Sequence, residues 1–179
     1  MSHSTRIRLC RPGDEDALAL VGQATFLETF AGVLPGSDIV AHCRGQHAPS
    51  VYRSWLDSGA RVWLAEADPS GTPIGYLVLA PASLPIENPS DRDLEVKRIY
   101  LLHQFHGTGI GKRLMIAAEQ HARETGATRL LLGVYSRNDR AVAFYERLGF
   151  RRVGTRLFRV GEHDYDDFVL SMDLSSVRA

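Results

Sequence analysis

Apolar positions along the chain change period several times, and each change marks an element. Ala17, Leu20, Val21, Ala24 and Leu27 recur at the spacing of one face of an α-helix, which predicts a helix from about 14 to 30. Asp14 follows the turn Arg11-Pro12-Gly13 and is its candidate N-cap. Ahead of it, Ile7-Arg8-Leu9-Cys10 alternates as a short strand. Gly32 to Gly36, with Pro35, interrupts the helix; Ser37 can cap a second helical piece over 38–44. A third, about 49–58, carries Val51, Tyr52, Trp55 and Leu56 before Gly59 ends it.

The pattern then turns to strands. Arg61–Ala67 and Thr72–Ala82 flank the turn Asp68-Pro69-Ser70-Gly71 and form a hairpin. A loop rich in Pro, Ser and Asn covers 83–92, and Leu94–Leu102 is the next strand. A helix over about 109–125 follows, with Ile110, Leu114, Ala117, Ala118 and His121 on one stripe. Thr128–Tyr135 is nearly all apolar in its middle, which suits a strand buried on both faces. The strand–helix–strand unit from 94 to 135 therefore favours a right-handed parallel crossover. Asn138 caps a helix to Leu148 with Ala141, Phe144, Tyr145 and Leu148 on one face. Phe150–Val160 and Tyr165–Leu174 close the chain as a hairpin about Gly161-Glu162-His163-Asp164. The reading is one α+β domain over 5–174, with flexible ends at 1–4 and 175–179 and with neither repeat nor linker.

At 179 residues the chain is long enough for one sizeable core. Lys plus Arg and Asp plus Glu both number 21, so the formal net charge is zero and no long-range attraction to nucleic acid or an anionic membrane is implied. No apolar run approaches the roughly 18 residues of a spanning helix, and Met1–Arg6 lacks an apolar signal region, which leaves the cytoplasm as the default location. Cys10 and Cys43 do not make a disulfide framework and read as small buried hydrophobes. His103 and His106 have no further ligands beside them, so no metal is expected.

The chemistry gathers where the strand 94–102 runs into His106-Gly107-Thr108-Gly109-Ile110-Gly111-Lys112. Alternate glycines let backbone approach a ligand, and the helix that follows begins with unpaired N–H groups at its positive end. Together these make an anion site, most naturally for a phosphate or pyrophosphate. Walker A fails, because His106 stands where its first glycine is needed and Arg113 where it needs Ser or Thr. The dinucleotide pattern GxGxxG fails because Gly111 comes one residue early.

The segment resembles the acyl-CoA loop [QR]-x-x-G-x-[GA] of the GCN5-related N-acetyltransferases (GNAT), with His106 in place of Gln or Arg. Asn138-Asp139-Arg140-Ala141-Val142-Ala143-Phe144-Tyr145-Glu146-Arg147-Leu148-Gly149-Phe150 is similar to a second segment of that family, N-x-x-A-x-x-[FL]-Y-x-x-x-G-F, in the right order and at the right distance. The resemblance implies the acyl-CoA N-acyltransferase fold, a mixed, mostly antiparallel sheet flanked by helices whose central parallel strands splay apart. It implies acetyl-CoA as cosubstrate and a primary amine, small molecule or peptide, as acceptor. The pantetheine arm would bond to backbone of Ile99, Tyr100 and Leu101, and the pyrophosphate would lie over His106, Gly107, Thr108, Gly109, Ile110, Gly111 and Lys112. His106 can still donate a hydrogen bond there, with a charge that depends on pH. Asn138 would bond pantetheine, cap its helix, or both. The resemblance admits a homodimer.

Transfer to an amine needs a neutral nucleophile, an oxyanion site and a proton for the leaving thiolate. Tyr145 matches the motif tyrosine and is the candidate acid; the alternative is a core tyrosine beside Phe144. Glu95 is the candidate base, or else a partner for Lys97 or Arg98. Backbone N–H groups near Ile99–Leu101 would serve the oxyanion. Thr25-Phe26-Leu27-Glu28-Thr29-Phe30 is also similar to the bacterial polyamine acetyltransferase branch, for which Glu28, Asp38, Glu87, Asp91, Asp93, Asp164, Asp166 and Asp167 are candidate anchors. The other functional class is a CoA-binding sensor or interaction module without turnover; the intact Tyr145 and glycine turn argue against it.

Overall fold

The structure, a computed structural model, describes residues 4–175. The expected flexible ends at 1–3 and 176–179 lie outside the described residues. Ser4 and Ser175 each make a hydrogen bond. The Ser4 carbonyl accepts from Asp68 N at 2.9 Å, and Ser175 N donates to Asp173 Oδ1 at 2.7 Å.

The chain forms two compact units, one taking the described residues up to Val78 with Arg98–Ala117, the other Leu79–Lys97 with the residues from Ala118 on. In the first, β1 (Thr5–Leu9) pairs antiparallel with β2 (Arg61–Ala67), from Thr5↔Ala67 to Leu9↔Trp63. Between them run α1 (Glu15–Phe30), α2 (Gly36–Gln46) and α3 (Pro49–Asp57). Leu18, Val21, Tyr52, Val62, Leu64, Tyr76 and Val78 share a core.

Helix α1 departs from the expected stripe. Leu18, Ala19, Val21, Gly22, Thr25 and Phe26 are buried, whereas Leu20 and Leu27 are 64% and 53% exposed. The helix is apolar on more than one side, so period alone could not choose its inward face. Close approach chose it, because a Cβ at Gly22 would collide with the Tyr52 hydroxyl and stand 2.6 Å from His47 Nδ1. Buried Thr25 satisfies its hydroxyl on Val21 O at 2.6 Å. Asp14 holds the N-cap position without capping: its carboxylate grips Arg8 and the backbone N–H of Arg11, which lower its pKa against the opposing effect of burial. Pro35, not Ser37, stands at the N-cap of α2.

In the second unit, β5 (Arg129–Tyr135) lies parallel to the start of β4 (Asp93–Leu101), from Asp93↔Arg129 to Val96↔Leu132, and antiparallel to β7 (His163–Asp173). β6 (Arg151–Val160) pairs with β7 as a hairpin. Its connection is tighter than expected: Val160 faces His163, so Gly161 and Glu162 alone make the turn. Leu130, Leu131 and Leu132 are buried, as their unbroken apolar run requires. β3 (Thr72–Pro81), β4 and α4 (Ile110–Glu124) each pass from one unit to the other. Strand order in the sheet is β1-β2-β3-β4-β5-β7-β6, with the β4–β5 pair parallel. The α4 stripe buries Ile110, Leu114, Met115, Ala118 and Ala122, while His121 is only half-buried.

The loop before β4 is held by one side chain. Arg129 grips buried Asp93 through Nε and Nη2 at 2.8 and 2.6 Å, and donates to the carbonyls of Glu87 and Asn88. The Arg129 hydrogen bonds, with help from Ser90 N–H, hold the Asp93 carboxyl below its ordinary range against the opposing effect of burial. A depressed native pKa contributes stability above the unfolded value of about 3.9 that is lost as pH falls through the native value. Asp93→Asn should therefore cost about 2 kcal/mol in urea unfolding at pH 7, since Arg129 is partly solvated. The difference from wild type should shrink toward pH 3. A pH-independent difference would mean the pair does not carry the effect.

Candidate active site

Strand β4 ends at Leu101, and His103–Phe105 forms one 3₁₀ turn before the glycines. Gly107 and Gly109 take φ +83° and +86°, and nothing lies within 4 Å of a Cβ built on either, so this backbone surface is open. Only glycine enters that region without strain. Thr108 turns its hydroxyl inward onto Phe105 O at 2.6 Å. Arg113 N takes Gly109 O at 3.0 Å, which starts α4 and leaves the N–H groups of Ile110, Gly111 and Lys112 in its first turn. Ile110 is buried and anchors that turn; Lys112 is exposed.

His106 does something the sequence did not announce. Its Nε2 lies 2.8 Å from the Leu101 carbonyl, which can only accept, so the proton sits on Nε2 and ties the turn to the strand end. The expected donation to phosphate thus falls to Nδ1, which carries a proton only in the imidazolium. The Tyr100 ring stacks on Tyr76 at 6.0 Å and packs, partly buried, against the core of the first unit.

In the second unit, Glu95 is 3% exposed. Its Oε2 takes Lys97 Nζ at 2.6 Å and Ser83 N at 2.9 Å. Of the two partners considered for it, Lys97 and Arg98, the structure supplies the first. Asn138 Oδ1 accepts from Ala141 N at 3.1 Å, so it caps α5 (Asp139–Arg147), while its NH₂ makes no hydrogen bond among the described residues. Tyr145 is buried on α5, its ring 5.2 Å from that of Phe144 and 6.0 Å from that of Phe150.

Several polyamine-anchor candidates are engaged internally. Glu28 accepts from His103 N, Asp93 from Arg129, Asp164 from Arg159 and Asp167 from Arg156.

The first unit also assembles a cluster that sequence reasoning missed. Phe26 stacks on His42 at 4.2 Å. His47 Nδ1 and the Tyr76 hydroxyl each lie 2.8 Å from the Tyr52 hydroxyl. Arg98 Nη1 reaches the same hydroxyl at 3.2 Å, with its guanidinium 4.6 Å from the Trp55 ring centroid. Burial, then the Arg98 charge, pushes His42 down to about 4 and His47 down to about 2, so both rings are neutral at pH 7. Alternation along β4 was the available signal, since Val96, Arg98 and Tyr100 share one face. Cys10 and Cys43 are free and half-buried, and burial pushes the Cys10 thiol up to about 12. Among the described residues no group of three or more His, Cys, Asp or Glu is arranged to hold a metal ion, and no helix is long and apolar enough to cross a membrane.

Solved structures share this architecture. The PaiA N-acetyltransferase of Thermoplasma acidophilum in complex with coenzyme A superposes with a TM-score of 0.72 at 21% identity, over 95% of this chain and 99% of that one. A putative acetyltransferase, YncA, of Salmonella typhimurium with acetyl-CoA gives 0.71 at 18%, over 98% and 97%. The fold is that of the acyl-CoA N-acyltransferases, as the two sequence motifs led one to expect. The acetyltransferase (GNAT) family profile matches residues 34–150, and an uncharacterized N-acetyltransferase of Mycobacterium tuberculosis is 33% identical over 161 residues, 90% of this chain and 98% of that one. N-acetyltransferase 8 of Rattus norvegicus is 30% identical over 132 residues, 72% of this chain and 56% of that one. The chain belongs to the GNAT acetyltransferase family, and its activity is acetyl-CoA-dependent N-acetyl transfer.

Proposed function

We propose that this protein, acting as one domain over residues 5–174, moves the acetyl group of acetyl-CoA to a primary amine by direct attack. The observation that carries the donor side is the open backbone at Gly107 and Gly109 leading into the first turn of α4. Residues 106–112 hold the pyrophosphate, and backbone of Ile99, Tyr100 and Leu101 binds the pantetheine arm. The Asn138 NH₂ adds a hydrogen bond to it. The amine nitrogen bonds to the thioester carbon, and the oxyanion is met by backbone N–H groups near Ile99–Leu101. The C–S bond then breaks, and the thiolate takes its proton from the Tyr145 hydroxyl. The proton shed by the amine passes to Glu95, directly or through water.

Thiol release from acetyl-CoA against a panel of primary amines tests this reading. Amine-dependent release with an N-acetylated product is expected. CoA binding with no release for any amine would favour the sensor module instead.

Glu95→Gln isolates the base. A free alkylammonium has a pKa of about 10, so the defect should shrink as pH rises toward that value and more substrate is already neutral. A defect constant across pH would make Glu95 a positioning residue for Lys97 and Ser83.

A further inference from the structure

Arg98 is a half-buried cation with an unfinished set of hydrogen bonds. Its Nη1 is used, 3.2 Å from the Tyr52 hydroxyl and 3.4 Å from His47 Nδ1. Its flat face is used as well, against Trp55 and Tyr52 with ring centroids at 4.6 and 5.5 Å. Among the described residues no carboxylate pairs with it. Nε and Nη2 donate to nothing among the described residues, yet neither is sealed from solvent.

Those two nitrogens form the side-on edge of the guanidinium, the fork that matches a carboxylate with two parallel N–H···O bonds. The protein uses this edge in that way elsewhere. Arg129 holds Asp93 by Nε and Nη2 at 2.8 and 2.6 Å, and Arg159 holds Asp164 by the same pair at 2.8 and 2.8 Å. At Arg98 the fork is built, oriented by an aromatic cage and left without its anion. The cage is also incomplete at His47. His47 spends Nδ1 on the Tyr52 hydroxyl at 2.8 Å and on Arg98 Nη1 at 3.4 Å, which leaves Nε2. That Nε2 is buried without a partner in a residue 1% exposed. A buried polar nitrogen without a partner is costly in either tautomer.

Position narrows the occupant. Arg98 precedes the strand end at Leu101 by about 10 Å of strand. A donor laid along Ile99–Leu101 with its pyrophosphate on the glycine turn has its acetyl end, not its phosphates, toward Arg98. An uncompensated cation there repels a polyamine, and four of the eight acidic candidates for its anchor, Glu28, Asp93, Asp164 and Asp167, already accept hydrogen bonds within the protein.

We propose that the Nε/Nη2 edge of Arg98 binds a carboxylate of the acceptor, so that the substrate is a small amine carrying a carboxylate and not a polycation. The assignment rests on acetyl transfer to a primary amine as the activity. The test compares α-amino acids with their matched α-amino amides, and both with spermidine, by kcat/KM in the thiol-release assay and by calorimetric titration into the CoA-loaded protein. Acids should exceed their amides by about 10²-fold. Arg98→Met should bring that ratio near one, and Arg98→Lys, which keeps charge without the fork, should leave an intermediate ratio. CoA titration of each variant reports that it is folded. Amides or spermidine equalling the acids in wild type would overturn the proposal without needing any variant, and so would acids that neither bind nor react. An acid preference kept by folded Arg98→Met would remove Arg98 as the anchor. Selective binding of acids without any acetyl transfer would sink the proposed reaction while leaving the carboxylate site standing.

Discussion

Tyr145→Phe should lower kcat by 10²- to 10⁴-fold, the range a positioned general acid contributes, while leaving CoA affinity close to wild type. The structural basis is that the ring and the hydroxyl have separable duties. The ring is buried on α5 beside Phe144 and Phe150, and phenylalanine keeps those contacts. The hydroxyl is what the substitution removes. Loss of one hydrogen-bonding group costs about 1 kcal/mol of stability, so the variant should still fold. The thiolate leaving group needs its proton only as the C–S bond breaks, so kcat and kcat/KM should fall together. Single-turnover measurement keeps product release from masking the chemical step. A wild-type single-turnover rate would make Tyr145 a packing residue, with the acid to be sought elsewhere.

Gly109→Asp should weaken CoA binding by about 10²-fold or more in calorimetry, through like-charge opposition to phosphate. The substitution acts on the ligand more than on the fold. Nothing lies within 4 Å of a Cβ at this position, so the new side chain displaces no neighbour. A carboxylate at the start of α4 also suits the positive end of that helix. The φ of +86° adds a strain of about 1–2 kcal/mol for a non-glycine residue. Gly109→Ala measures that strain alone and should lose much less affinity. Equal losses in the two variants would trace the effect to backbone conformation. Wild-type affinity in Gly109→Asp would place the diphosphate elsewhere.

Period and punctuation carried most of the element reading. β2, β3, β5 and α5 fall within a residue or two of their expected bounds. Each is bracketed by Gly, Pro or Asn and has a clear period or an unbroken apolar run. The two family motifs also lay within single elements, because a strand–turn–helix phosphate site and a capped helix bearing a tyrosine are built from neighbours in sequence. Hence the acyl-CoA fold, the cosubstrate and the family were legible before any coordinate.

What stayed hidden depended on pairs far apart in the chain. The inward face of α1 was misjudged because Leu20 and Leu27 fit a helical stripe as well as Leu18 and Phe26 do. Only the approach of Tyr52 to Gly22 separates the two faces. The bond of His106 Nε2 to Leu101 O could not be read from the sequence. Glu95 read as a base or as a partner of Lys97 or Arg98, and only the fold showed that Lys97 and Ser83 N close on it. Arg98 looked like a partner for Glu95, yet β4 alternation turns it to the opposite face, among Tyr52, Trp55 and His47. By itself the sequence determined the α+β class, the order of elements, the phosphate turn and the motif tyrosine, since local backbone preferences and short-range period encode them. The tertiary structure alone decided which charges are already satisfied and which remain open, because a hydrogen bond's partner is set by distance in space and not along the chain.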